Sequence, residues 1–200
     1  MRAWINRLRR AWWQRLWGRM VFGEVSAGQY RPHTRISPST LIDHEDRLHL
    51  ADHVYIGPFN WIEASGGVTL EEGVQITSHV SLVTHASHRS ARLLGRSFVE
   101  PRAGSETRAE PRPGWIAGPI HIGAYSFIGP HSVIEAGTRL GRGTLVRAGS
   151  VVRGHFEDFA VLEGQPARVV GDTRTTDERL LQQHPECRAT YDAWARKSDV

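Results

Sequence analysis

Between Leu50 and Val152 one aliphatic residue opens a unit of about six residues, again and again. The openers are Leu50, Ile56, Ile62, Leu70, Ile76 and Leu82, then, after a break, Ile122, Ile128, Ile134, Leu140 and Val146. Four places later the residue is usually small or β-branched, as at Val54, Val74, Val80, Ser126, Ser132, Thr138, Thr144 and Ser150. One unit, 62–69, carries two extra residues. A six-residue period with one deep apolar position does not give the 3, 4 and 7 spacings of an amphipathic helix. It suits a short strand followed by a bend, with glycine and asparagine supplying left-handed backbone at the bends. Three such strands make one triangular coil, and the openers must stack inside successive coils to leave water. The register is absent from 23–49, where Gly23, Gly28, Pro32 and Pro38 punctuate what reads as an irregular lead-in.

These repeats resemble those of the hexapeptide-repeat acyltransferases. The resemblance implies an all-β solenoid, a left-handed parallel β-helix; the handedness comes from the family and not from the spacing. After the last repeat, Leu162-Glu163-Gly164-Gln165-Pro166-Ala167-Arg168-Val169 is similar to the G-x-P-A-[KR]-[VI] segment that closes the coil in sugar and xenobiotic O-acetyltransferases. The expected organisation is an amphipathic helix at 1–22, the repeat domain at 23–171, and a helical tail at 172–200. The repeat domain carries an extended loop at about 88–119. In the tail, Thr175 and Glu178 have the spacing of N-cap and N3 in a capping box.

Charge is unevenly placed. The chain carries a formal +4, yet residues 1–20 hold six arginines and no acid, so the remainder is net acidic. A nucleic-acid-binding body is therefore not expected. Within the first twenty residues Trp4, Ile5, Leu8, Trp12, Leu16 and Met20 recur at spacings of three and four, with Arg9, Arg15 and Arg19 in the same arc. The segment lacks the apolar run of a signal peptide or a membrane span. Two readings stay open: a helix lying in the headgroup layer of an anionic membrane, or a cap over the end of the solenoid. The single cysteine, Cys187, permits no internal disulfide and suits a reducing compartment. The expected location is the cytoplasm, with peripheral contact at the inner face of the membrane under the first reading.

The break after Ser87 holds Arg89, Arg92, Arg96, Arg102, Arg108 and Arg112 and almost no repeat pattern, which marks an arm beside a site. Of the 11 histidines, three crowd against it: His79, His85 and His88. In the galactoside and maltose O-acetyltransferases that the repeats resemble, the catalytic histidine is the sixth residue of the unit preceding the loop. Counting from Leu82 puts Ser87 there, so His88, one residue on, is the first candidate for the base and His85 the second. Histidine suits the work, because moving an acetyl group to a hydroxyl needs a base near the working pH to take the hydroxyl proton. No G-x-S-x-G elbow is present, so direct transfer is expected, without an acyl-enzyme.

The same resemblance implies the remaining site residues. Asn60 ends a Pro58-Phe59-Asn60 segment like the one whose asparagine binds the acceptor sugar. Ala148 and Gly149 lie in a stretch like the family's G-A-G-S-V-V, which meets the pantetheine of coenzyme A. Arg153 stands near where the family places a lysine for the coenzyme's phosphates, and Phe127 and Pro130 are further departures from the family's pattern. The implied function is acetyl-CoA-dependent O-acetylation of a sugar in surface-polysaccharide or glycolipid assembly, by a homotrimer, with no metal. Two alternatives remain: a γ-type carbonic anhydrase using His85 and His121, although position 126 is serine where a third ligand is needed, and a scaffold without catalysis.

Overall fold

The computed structural model describes residues 2–100 and 112–196. Within them the chain visits three parallel sheets in rotation. Face 1 holds Arg35–Ile36, Tyr55–Ile56, Gln75–Ile76, Phe127–Ile128, Leu145–Val146 and Ala160–Gly164. Face 2 holds Leu41–Asp43, Trp61–Glu63, Ser81–Val83, Val133–Glu135 and Val151–Val152. Face 3 holds Leu48–Leu50, Val68–Leu70, Ile120–Ile122, Arg139–Leu140 and His155–Phe156. Parallel strands ordinarily need long crossovers. Here the next two faces are the crossover, so each strand meets its counterpart one turn later.

The register puts like on like. On face 1, Ile36, Ile56, Ile76, Ile128, Val146 and Leu162 pair in succession. On face 2 the line is Ile42, Ile62, Leu82, Ile134 and Val152. On face 3 it is Leu50, Leu70, Ile122, Leu140 and Phe156. Most of these side chains are wholly out of water, and each is worth about 1.5–3 kcal/mol of transfer free energy. The register begins at Ile36, earlier than the sequence pattern suggested. Ile36 and Ile42 are only partly buried because an end coil has a neighbour on one side alone.

The distance between openers is not constant. From face 2 to face 3 it is eight residues in the first two coils, Ile42 to Leu50 and Ile62 to Leu70. It falls to six from Ile134 to Leu140 and to four from Val152 to Phe156. The corner between faces 2 and 3 is thus broad in the early coils and cut back in the late ones. The third coil carries the long arm at that same corner. Between faces 1 and 2, Phe59, His79, His131 and Gly149 hold equivalent left-handed positions, with φ of 60, 57, 60 and 73. The three rings follow one another along the corner: Phe59 and His79 are tilted, with centroids 5.2 Å apart, and His79 and His131 stack at 4.8 Å.

The ends are closed by different means. At the start, a hairpin of Glu24–Ser26 and Gln29–Arg31 docks through Ser26 Oγ, which donates to Leu48 O and accepts from Leu50 N. The N-terminal helix α1 (Arg2–Leu16) takes no part, since none of its residues is buried. This removes the reading in which it caps the solenoid. At the other end, Ala167–Asp172 folds back antiparallel on Ala160–Gly164. Two helices follow the arm's own α2 (His88–Leu94): α3 (Thr173–Gln183) and α4 (Arg188–Ala195). The cap of α3 is Asp172, whose carboxylate accepts from Arg174 N at 2.9 Å. Thr175 and Glu178 therefore lie inside the helix, and Glu178 pairs with Arg188 instead. Trp194 packs against Tyr125 and Phe159, so the tail lies along the corner between faces 3 and 1.

Replacing a rung opens a cavity that stacked neighbours on both sides cannot collapse to fill. Ile62→Ala is expected to destabilise the protein by about 2–5 kcal/mol. Leu41→Ala, on the outer side of the same face and 61% exposed, should stay within about 0.5 kcal/mol. Chemical denaturation of the two variants measures the contrast.

Candidate active site

The arm leaves the coil at Thr84 and returns at Gly118. His85–Ala86 pairs antiparallel with Ile116–Ala117, and Gly118 N donates to Thr84 O. This two-stranded root fixes His85 against the coil below. Its Nδ1 lies 2.9 Å from Glu63 Oε2 and 3.1 Å from Ser65 Oγ. Trp115, the residue before the returning strand, stacks on the imidazole with centroids 4.7 Å apart and planes 11° from parallel. The ring is thus held at one edge and one face. Nε2 makes no hydrogen bond among the described residues.

Glu63 is unusual for an acid on a solenoid face, being only 3% exposed. Its carboxylate accepts from Ser65 N, Thr84 N and Thr84 Oγ1 at 2.8, 3.1 and 2.6 Å, in addition to His85. Burial alone would raise its pKa. Hydrogen bonds from Ser65, Thr84 and His85 outweigh that and hold it down at about 2. The group is therefore a fixed anion. A carboxylate on Nδ1 favours the tautomer with its proton there, which leaves Nε2 as an acceptor. His44 Nδ1 sits 3.8 Å from the other carboxylate oxygen.

His85 lies between two openings. One, of about 160 Å³, is lined by Val83, His88, Ile116, Val133, Glu135 and Arg153, among others. The other borders Asp43, His44, Trp61 and Glu63. Two expected site residues, His88 and Arg153, therefore share the first opening with His85. His88 is exposed, at the first position of α2. Ala148 and Gly149 do not join them. They turn the corner between faces 1 and 2, one corner of the triangle away. There Ala148 is exposed and nothing lies within 4 Å of where a Gly149 side chain would stand.

Asn60 corrects an expectation. It is 3% exposed; its amide nitrogen donates to Gly57 O and Thr77 O, and its oxygen accepts from Val80 N. The side chain ties two successive bends together, 57–60 and 77–80, and both its amide hydrogens are used. The arginines of the arm divide: Arg89, Arg92, Arg96 and Arg112 are described, and Arg102 and Arg108 lie outside the described residues. His85 and His121 hold different carboxylates, Glu63 and Glu71. Among the described residues, only His33, Asp52 and His53 bring three metal-type ligands together, and neither His85 nor His121 is among them. Glu63, Ser65 and Trp115 are the site residues the sequence reading missed. The one signal was the two-residue extension of the unit that contains Glu63 and Ser65.

Residues 119–154 match the family model described as bacterial transferase hexapeptide (six repeats). A probable acetyltransferase of Mycobacterium tuberculosis is 33% identical over 84 residues, which cover 42% of this chain and 28% of that one. The chain thus spans little more than a quarter of that relative's length. A hexapeptide-repeat acetyltransferase of Vibrio cholerae, solved with acetyl-CoA, superposes with a TM-score of 0.54. It is 19% identical, with 84% of this chain and 78% of that chain covered. A maltose O-acetyltransferase of Clostridium difficile gives 0.51 at 19% identity, covering 66% and 63%. The last two are likenesses of fold.

Because the pKa of Glu63 is depressed from 4.5 to about 2, its ionised form adds stability above pH 4.5, and this is lost as pH falls toward 2. Glu63→Gln also offers one acceptor where four donors converge. The stability gap between the natural protein and Glu63→Gln should be widest at neutral pH and narrow through pH 4 to 3. Thermal unfolding of both across that range checks it; a gap independent of pH would mean that the buried group is not ionised.

Proposed function

We propose that this hexapeptide-repeat protein is an acetyl-CoA-dependent O-acetyltransferase acting on a sugar hydroxyl, with His85 as the general base. The observation that carries the reading is the buried Glu63 carboxylate on His85 Nδ1, at the mouth of two openings. A base must first be within reach and correctly protonated. Nε2 of His85 takes the hydroxyl proton as the oxygen attacks the thioester carbonyl. The carbon–sulfur bond then breaks, and the departing thiolate recovers that proton from the imidazolium. Glu63 remains anionic throughout and stabilises the transient positive ring. This order reverses the one that counting along the repeat suggested: His88 has no comparable partner among the described residues and is exposed on the arm.

The acetyl donor is supported by relatives named as acetyltransferases and by the fold shared with a protein solved with acetyl-CoA. The sugar is supported by the maltose O-acetyltransferase of like fold. Surface-polysaccharide or glycolipid assembly in the cytoplasm is the setting we favour. Arg153, beside His85, suits the phosphates of the donor. Ala148 and Gly149 meet that donor only if a second copy brings its corner against this one. We therefore assign the working form as a homotrimer of left-handed coils, with each cleft between neighbours.

His85→Ala should lower turnover by roughly 10²-fold or more, whereas His88→Ala should change it less than about fivefold, both read as coenzyme A release with a panel of hexoses and hexosamines. Mass spectrometry should find one acetyl group added to the acceptor. The opposite ranking of the two variants would return the base to His88. Full activity in both would leave no histidine base at this corner. No transfer to any acceptor would favour a scaffold.

A further inference from the structure

Helix α1 stands apart from the coil in chemistry as well as in contacts. Along its 15 residues none is buried, and none is acidic. Trp4, Ile5, Leu8, Ala11, Trp12 and Leu16 occupy one side at helical spacing, interrupted only by Arg15. Trp4 and Trp12 are each 65% exposed. Arg2 and Arg9 border one edge of this stripe, and Arg7 and Arg10 lie beyond the other. Trp13 and Trp17 stack on each other outside the stripe. Six residues past the helix end, Phe22 lies against the Arg35 guanidinium, which also faces Tyr55.

From this arrangement we infer that α1 docks on an anionic phospholipid surface, lying in the headgroup layer with its tryptophan stripe turned inward. Length excludes a span: 15 residues at about 1.5 Å each reach roughly 22 Å, short of the ~30 Å hydrocarbon core. No helix among the described residues is long and apolar enough to cross a membrane. Tryptophan is the side chain best matched to the boundary between headgroup and hydrocarbon, where its ring is apolar and its N–H stays wet. Arg15 escapes the apolar layer by extending its stem and keeping its head at the phosphates.

Charge decides between occupants. Packing α1 on its own counterpart in a second copy would bring arginines together with no acid on either helix to pair them. A phosphate-rich surface can pair those that border the stripe. Each arginine near such a surface multiplies the partition by about fivefold, so the six of residues 1–20 suffice for reversible attachment without a covalent lipid.

The test uses the full chain with extruded vesicles of equal phosphatidylglycerol and phosphatidylcholine, against vesicles of phosphatidylcholine alone. Co-sedimentation should favour the anionic vesicles by at least tenfold and should fall with added salt. Replacing the stripe in Leu8→Glu/Trp12→Glu should cut binding by more than tenfold. Removing charge in Arg7→Gln/Arg9→Gln/Arg10→Gln should cut it about a hundredfold, following the fivefold step per arginine. Since α1 buries nothing, both variants should keep the circular dichroism and the sedimentation coefficient of the natural protein. Failure of the full chain to bind anionic vesicles overturns the inference, as does full binding by either variant. A changed sedimentation coefficient in Leu8→Glu/Trp12→Glu would assign the stripe to a contact between copies. Binding to a single-stranded oligonucleotide that anionic vesicles cannot displace would assign the arginines to nucleic acid.

Discussion

The three faces of this protein are positioned by aliphatic side chains stacked along three lines inside a coil. A ladder is a strict constraint because its rungs are a strand separation apart, so each residue must meet its own counterpart one turn away. A slip by one residue would turn every opener toward water. Backbone hydrogen bonds follow from the stacking, since strands brought into register satisfy their N–H and C=O groups along the coil axis. The sheets are consequences of the core rather than its cause.

Corners obey looser rules. They need only turn the chain, and in this protein they do so with a mixture of left-handed glycines and left-handed histidine, phenylalanine and tyrosine. Left-handed backbone costs a non-glycine residue roughly 1–2 kcal/mol. Contact among the rings of Phe59, His79 and His131 along one corner returns part of it. Freedom at the corners is what permits an arm between Thr84 and Gly118 without loss of register: Leu82 still finds Ile62 and Ile134, and Ile122 still finds Leu70. The arm's root then supplies what a bare corner lacks, a second strand that places Trp115 on His85.

The parts set by repetition were legible from residues alone. Each opener declares itself by period, and the coil follows. The first coil was hidden because Ile36 and Ile42 stand among polar and proline residues and have a neighbour on one side only. Pairings between coils were not legible. Glu63 and His85 are 22 positions apart, and their meeting depends on the turn length being 20 residues where the two coils stack, as it is from Asn60 to Val80. Asn60 misled because an asparagine in a bend looks alike whether its amide faces a ligand or closes the backbone. Only its three hydrogen bonds to main chain distinguish the two. Counting to a histidine has a related blindness: it ranks positions along a unit and does not register that an anion lies beneath His85.

The shortening corner between faces 2 and 3 has an architectural consequence. A coil that loses residues at one vertex draws in its girth there, so the outline of the protein has a ledge where the broad coils end. His44, Ser65 and His85 belong to the broad side; Ala136 and Arg153 belong to the narrow side. The opening beside His85 lies under that ledge, walled on one side by His88 and Ile116 of the arm and on the other by the shortened coils at Ala136 and Arg153. Depth of the recess is then a quantity that insertion or deletion of two residues can change in a single event, while the ladders and the carboxylate–imidazole pair stay as they are. Lineages of such proteins can resize what they accommodate by editing one vertex, leaving the chemistry where it was.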